Sequence, residues 1–236
     1  MTAEDIVKRL QKLKNPKNVI GMARFGIRPD TKILGISIYD LRSISKIIKK
    51  ELNNSKELHG LALKLWKTSI HEARMLAVFI EDPKEVTEKQ MEDWISDFDS
   101  WDICDQACTS LFDKTPFAFE KAPEWTKREK EFEKRAGFAL MAGLSVHNKN
   151  AKNNKFIPFL RAIKREAKDK RNFVKKAINW ALRNIGKSRN KNLYNLAVEC
   201  ANEIKRIDSK SAKWIASDAL RELKSDSVKK RLGLIN

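Results

Sequence analysis

Trp101 and Asp105 stand four residues apart in DSWDICDQACTSLF, the spacing that places two side chains one turn apart on one face of a helix. An indole beside a carboxylate presents one diffuse and one full negative charge, which suits a cationic substrate or a cationic transition state. Loss of an N3- or N7-alkylated purine from DNA supplies both. The base already carries positive charge, and rupture of its glycosidic bond develops oxocarbenium character on the deoxyribose, which a carboxylate can stabilise while it orients a water. Spacing alone does not decide the matter, because Trp214 and Asp218 in KWIASDALREL repeat it. For either pair, core packing and helix capping are the competing explanation.

The setting of the first pair is unusual. Residues 91–105 hold six carboxylates and no Lys or Arg, in a chain whose 49 basic and 31 acidic residues leave a formal charge of +18. So basic a protein is expected to bind a polyanion, and an acidic island with aromatics is where it would meet a cation instead. Within the island, Asp99 or Ser100 is placed to cap a helix and Asp102 to sit in its first turn near the positive end of the dipole, so both aspartates read as helix-start residues.

Other chemistries find little support. Cys104 and Cys108 share a helix face, but zinc would need two more ligands and none of the three histidines lies nearby, so no metal is expected. His59, His71 and His147 fall on separate segments and read as surface or satisfied helix histidines, and no glycine-rich phosphate loop is present. Trp66, Trp94 and Trp125 read as core or inter-helix packing, with Trp125 exposed after Pro123 as the one variant.

The elements that must hold these residues are helices. Gly (8) and Pro (6) are scarce for 236 residues, while the 42% hydrophobic content is enough to bury a core. A weak repeat aligns FEKRAGFALMAGL from Phe132, FVKKAINWALRNIGK from Phe173 and SAKWIASDALRELK from Ser211 at offsets of about 38 to 41 residues. With its small alanines inside each helix, this period predicts an all-α solenoid of HEAT-like helix pairs, and no boundary divides the single domain expected over 1–236. The segment FGIRPDTKILGIS reads as a loop, DLRSISKIIKKEL as a helix, and ELHGLALKLWKTSIHEARMLAVFI as two helices joined near Thr68. On the helix from Asn172, Phe173, Val174, Ala177, Ile178, Ala181, Leu182 and Ile185 form an apolar stripe, with Trp180 at its margin and Lys176, Arg183 and Lys187 one step further round. Between His147 and Lys191 there are fifteen Lys or Arg against Glu166 and Asp169, and a half-exposed Trp beside that basic row suits a nucleic-acid groove. The N-terminus has no apolar leader and no run is long enough to span a bilayer, so a cytoplasmic protein with reduced thiols is expected, with no membrane contact.

MARFGI, SWDICDQAC, KRAGFALMA, FVKKAINWALR and KWIASDALREL, in that order, resemble the HEAT-like-repeat DNA alkylation repair proteins, the AlkD-type DNA glycosylases. The resemblance covers nearly the whole chain. It implies a solenoid with a concave basic groove, and a monofunctional enzyme that excises 3-methyladenine and 7-methylguanine from duplex DNA without a cofactor, as a monomer. It also implies roles: Trp101 and Asp105 as the catalytic WD-x-x-D pair, Trp180 as a second indole on the lesion-bearing nucleotide, Arg135 as a groove Arg on the backbone, and Arg183 beside Trp180. Lys176 and Lys187 join Arg183 as phosphate contacts on the basic row. Phe25 departs from the family pattern, which has Tyr after MAR, and the missing hydroxyl leaves room for weaker or altered activity. The alternative is a non-catalytic HEAT-repeat scaffold that binds DNA or a protein. Asp105 separates the two, since an inert phosphate-binding groove has no use for a carboxylate that would repel DNA.

Overall fold

Polar residues set just before the apolar runs start many of the helices. The side chains of Thr2, Ser37, Asn54, Thr87 and Asn190 each accept a backbone amide three residues on, satisfying donors that the first helical turn leaves over. In the computed structural model, which describes residues 1–235, these starts open an all-α chain of two compact units. The first, Met1–Thr115, holds α1 (Ala3–Lys12), α2 (Pro16–Arg24), α3 (Ile38–Leu52), α4 (Ser55–Trp66), α5 (His71–Ile80), α6 (Glu88–Ser96) and α7 (Trp101–Ser110). The second, from Pro116, holds α8 (Ala118–Trp125), α9 (Glu131–His147), α10 (Ile157–Glu166), α11 (Asn172–Ser188), α12 (Lys191–Lys205), α13 (Lys210–Leu223) and α14 (Asp226–Arg231). Among the described residues there is no strand, only an isolated parallel bridge between Lys32 and Ile70. No helix among them is long and apolar enough to cross a membrane.

In the first unit, α5 is the central helix, with every residue from His71 to Ile80 buried and α3, α4 and α7 packed around it. Three of those residues are polar or charged, which burial tolerates only where partners replace water. Glu72 accepts the consecutive amides of Leu34, Gly35 and Ile36 at 2.6 to 3.3 Å, so a helix side chain anchors the end of the loop that precedes α3. Gly35 has φ of +81°, and a Cβ there would lie 2.2 Å from the Asn15 carbonyl oxygen, so only glycine fits. Arg74 donates to the carbonyls of Trp66 and Asp97 and lies over the Trp66 ring, which stacks on Trp94 with centroids 4.0 Å apart. Trp66, Trp94 and Trp125 are all buried; Trp125, 0% exposed, is fully enclosed in its own unit, and Pro123 lies within α8 instead of turning the chain outward.

In the second unit, the three repeat helices α9, α11 and α13 pack in succession, with α8 against α9 and α12 against α13. The predicted stripe of α11 faces inward, Phe173 alone of its members being only half-buried. Small residues set the helix spacing: a Cβ on Gly137 would come within 2.7 Å of the Ala122 carbonyl oxygen and the Thr126 amide, so α8 crosses α9 at backbone contact. Two buried amides tie the stack together, Asn179 donating to Ile215 and Asn184 to Ala142.

Candidate functional site

The acidic island runs from α6 through the turn that follows it into α7, and most of it proves to be structural. Asp93 pairs with Lys89 on the surface, Asp97 accepts the Trp66 indole N–H at 2.8 Å, and Asp99 accepts the Thr31 amide at 3.0 Å. Asp99 therefore fixes a distant loop and does not cap α7. Ser100 is the N-cap residue of α7, yet its hydroxyl accepts no helix amide and instead donates to Asp102 Oδ1 at 2.5 Å. Asp102 sits in the first turn of α7 as expected, and there its Oδ2 also lies 2.8 Å from Nε2 of the buried His71. Burial pulls the His71 pKa down, but the hydrogen bond and charge of Asp102 outweigh it and hold the imidazole above its ordinary value. Burial likewise pushes Asp102 up, and bonds from His71 and Ser100 overcome this and keep the carboxyl below its ordinary range. His71 Nδ1 is buried with no hydrogen-bond partner among the described residues.

One turn apart on the same helix, Trp101 and Asp105 are both half-buried, as their spacing predicts. The Trp101 indole N–H donates to the Phe25 carbonyl at 3.1 Å, while the Phe25 ring, at the end of α2, is 77% exposed. Trp101 and Asp102 line a cavity of about 520 Å³ with Met22, Ile36, Leu41 and Met75; Asp105 is not among its lining residues. The remaining thiols offer little reactivity: Cys104, Cys108 and Cys200 are buried, burial raises Cys108 well above the ordinary range, and it pushes Cys200 up to about 12.

The second unit holds the other predicted residues. Trp180 is half-buried on α11, in keeping with a margin position, and Lys176 is exposed. Arg183 and Lys187 are engaged within the protein: Glu222 of α13 accepts from Arg183, and its other oxygen accepts from Lys187 at 2.5 Å. Arg135 is 6% exposed, and its guanidinium donates to the Phe173 carbonyl, which joins α9 to α11 instead of presenting an open cation. The second Trp-x-x-x-Asp pair separates in character, Trp214 being 40% exposed while Asp218 accepts from Arg221. Sequence reasoning offered a satisfied helix position for His71 but missed its partner, and it missed Glu222. Both act through partners more than thirty residues away, where no local spacing could reveal them.

An all-α chain with stacked repeat helices and this α7 pair agrees with one family. The family model described as DNA alkylation repair enzyme matches residues 6–223. The chain belongs to the DNA alkylation repair enzyme family. Among solved structures, it is similar over 99% of its length, and 97% of the other chain, to a protein described as one of a new family related to the HEAT-like repeat DNA glycosylases with affinity for branched DNA structures; the identity is 22% and the TM-score 0.73. AlkD2 from Streptococcus mutans is 20% identical with a TM-score of 0.61, covering 95% of this chain and 100% of that one. At these identities the likeness shows a shared HEAT-like repeat fold. No curated protein sequence matches.

Proposed function

We propose that this family member is a monofunctional DNA glycosylase that releases cationic alkylpurines, 7-methylguanine and 3-methyladenine, from duplex DNA. The observation that carries the reading is the α7 pair, a half-buried indole anchored to the Phe25 carbonyl with a half-buried carboxylate one turn further on. The base leaves with the electron pair of the glycosidic bond, which neutralises its positive charge. The deoxyribose takes up that charge as the base leaves, Asp105 stabilises the developing cation, and a water that it orients attacks C1′ and gives its proton to that carboxylate, which returns it to solvent. Trp101 serves as a wall for the sugar, and in the second unit Trp180 and the exposed Lys176 of α11 serve as DNA contacts. The leaving group is already activated, so carboxylate and water suffice for this step. The same reading makes the protein a cytoplasmic monomer.

Asp105→Asn is expected to keep its affinity for DNA and to lose about a hundredfold or more in the rate of 7-methylguanine release from methylated duplex. Equal release by wild type and variant would sink the mechanism. A second reading, a DNA-binding member without excision, draws support from Phe25 lacking the family hydroxyl, from the buried setting of Arg135, and from the neighbour described by its affinity for branched DNA. Absence of release by the wild type, with DNA affinity intact, would select it.

A further inference from the structure

Trp214 is the indole whose surroundings differ most from a core position. It is 40% exposed on the second turn of α13, in a chain that buries Trp66, Trp94 and Trp125 almost completely. The ammonium of Lys175 lies over its ring, 4.8 Å from the centroid. Lys168 and Lys170, which follow α10, and Lys210, which opens α13, complete a depression of about 840 Å³ around it. Among the described residues, none of these four lysines takes part in an ion pair. The carboxylates nearby are offset: Asp208, which lines the depression, pairs with Lys213 at 2.9 Å, and Asp218 is held by Arg221.

Such an arrangement is unfavourable when empty, because four like charges repel one another and a large apolar ring faces water. A free phosphate or a carboxylate would relieve the repulsion but leave the ring exposed. Intact duplex would also neutralise the lysines, yet its bases are stacked inside and offer the indole no face. An unpaired nucleotide satisfies both needs, since its phosphates meet the ammonium groups and its base stacks on the ring. We propose that Trp214, ringed by Lys168, Lys170, Lys175 and Lys210, is a binding site for an unpaired DNA nucleotide. It shares with the function proposed above only the partner, DNA, and requires no excision.

The test compares binding of a blunt duplex with binding of the same duplex carrying a single-stranded overhang, by fluorescence anisotropy. Wild type is expected to prefer the overhang. Trp214→Ala should lose about tenfold in affinity for the overhang substrate and leave the blunt duplex unaffected, while Trp214→Phe retains most of the preference. Lys168→Ala with Lys170→Ala should lower the salt dependence of overhang binding by about one to two units of log–log slope. Circular dichroism checks that each variant is folded, and the exposure of Trp214 makes that the expected result. Equal affinity of wild type for both substrates, or equal weakening of both by Trp214→Ala, overturns the proposal. Release of 7-methylguanine without an overhang preference removes this site alone; no affinity for any DNA removes both readings. Asp105→Asn should leave the overhang preference intact.

Discussion

At the residue scale, the acidic island was legible as an anomaly but not as a set of roles. Charge counting marks all six carboxylates equally, whereas the folded chain gives Asp97, Asp99 and Asp102 to an indole, a loop amide and a histidine. Helix-start propensity placed Asp102 in the first turn of α7 correctly, but it could name neither its distant partner His71 nor the loop amide that Asp99, one residue ahead of the cap, accepts. The His71–Asp102 contact makes a pH prediction. The folded-state His71 value is raised above its ordinary 6.5, so its contribution to stability is complete below that value and is lost as pH rises through the raised one. Asp102 is lowered from 3.8, so its contribution is present above that value and is lost as pH falls through the lowered one. Urea midpoints should therefore fall at both extremes. His71→Gln should lack the alkaline step and cost about 3 kcal/mol, since it leaves Asp102 without its charged partner; a variant with an unchanged alkaline step would show that another group titrates there.

At the element scale, helices were readable wherever a polar cap precedes an apolar period, and the repeat at α9, α11 and α13 came through because alanines recur at the helix contacts. The interior of α5 was harder to read. Its sequence HEARMLAVFI mixes three ionisable groups into a helix that is wholly buried, and only tertiary partners permit that. Glu72 is the clearest case. Glu72→Ala should strip three consecutive amides of their acceptor and destabilise the protein by about 3 kcal/mol or more, measured by denaturant unfolding; a loss under about 1 kcal/mol would mean that water replaces the carboxylate. Gly137→Ala sets a methyl against backbone atoms of α8 and the turn after it, which cannot yield as a side chain does, and should cost about 1–3 kcal/mol by the same measurement.

At the scale of the whole molecule, net charge read from sequence overstates what is free to meet DNA. Basic residues that align as a row on a helical wheel are partly consumed by carboxylates from another repeat, as Arg183 and Lys187 are by Glu222. A wheel of one helix cannot display a neighbour's acid. Glu222→Gln removes that competitor, so it should tighten binding to duplex DNA and steepen the salt dependence by about one unit or more, with damaged and undamaged sequences affected alike. Unchanged slopes in a salt titration would place phosphate contacts elsewhere. The same reasoning makes Lys176, exposed and outside that cluster, a residue whose loss should weaken binding evenly across sequences.

The bond that fixes the Trp101 indole ends on a peptide oxygen at position 25, and a peptide oxygen is common to all twenty amino acids. The anchor is thus indifferent to mutation where the exposed ring beside it is not. Position 25 can drift between Phe, Tyr and smaller residues, altering what the surface offers a DNA strand, while the aromatic wall behind it stays in register. A lineage could in this way change the surface it presents by single steps that leave the indole and its anchor in place.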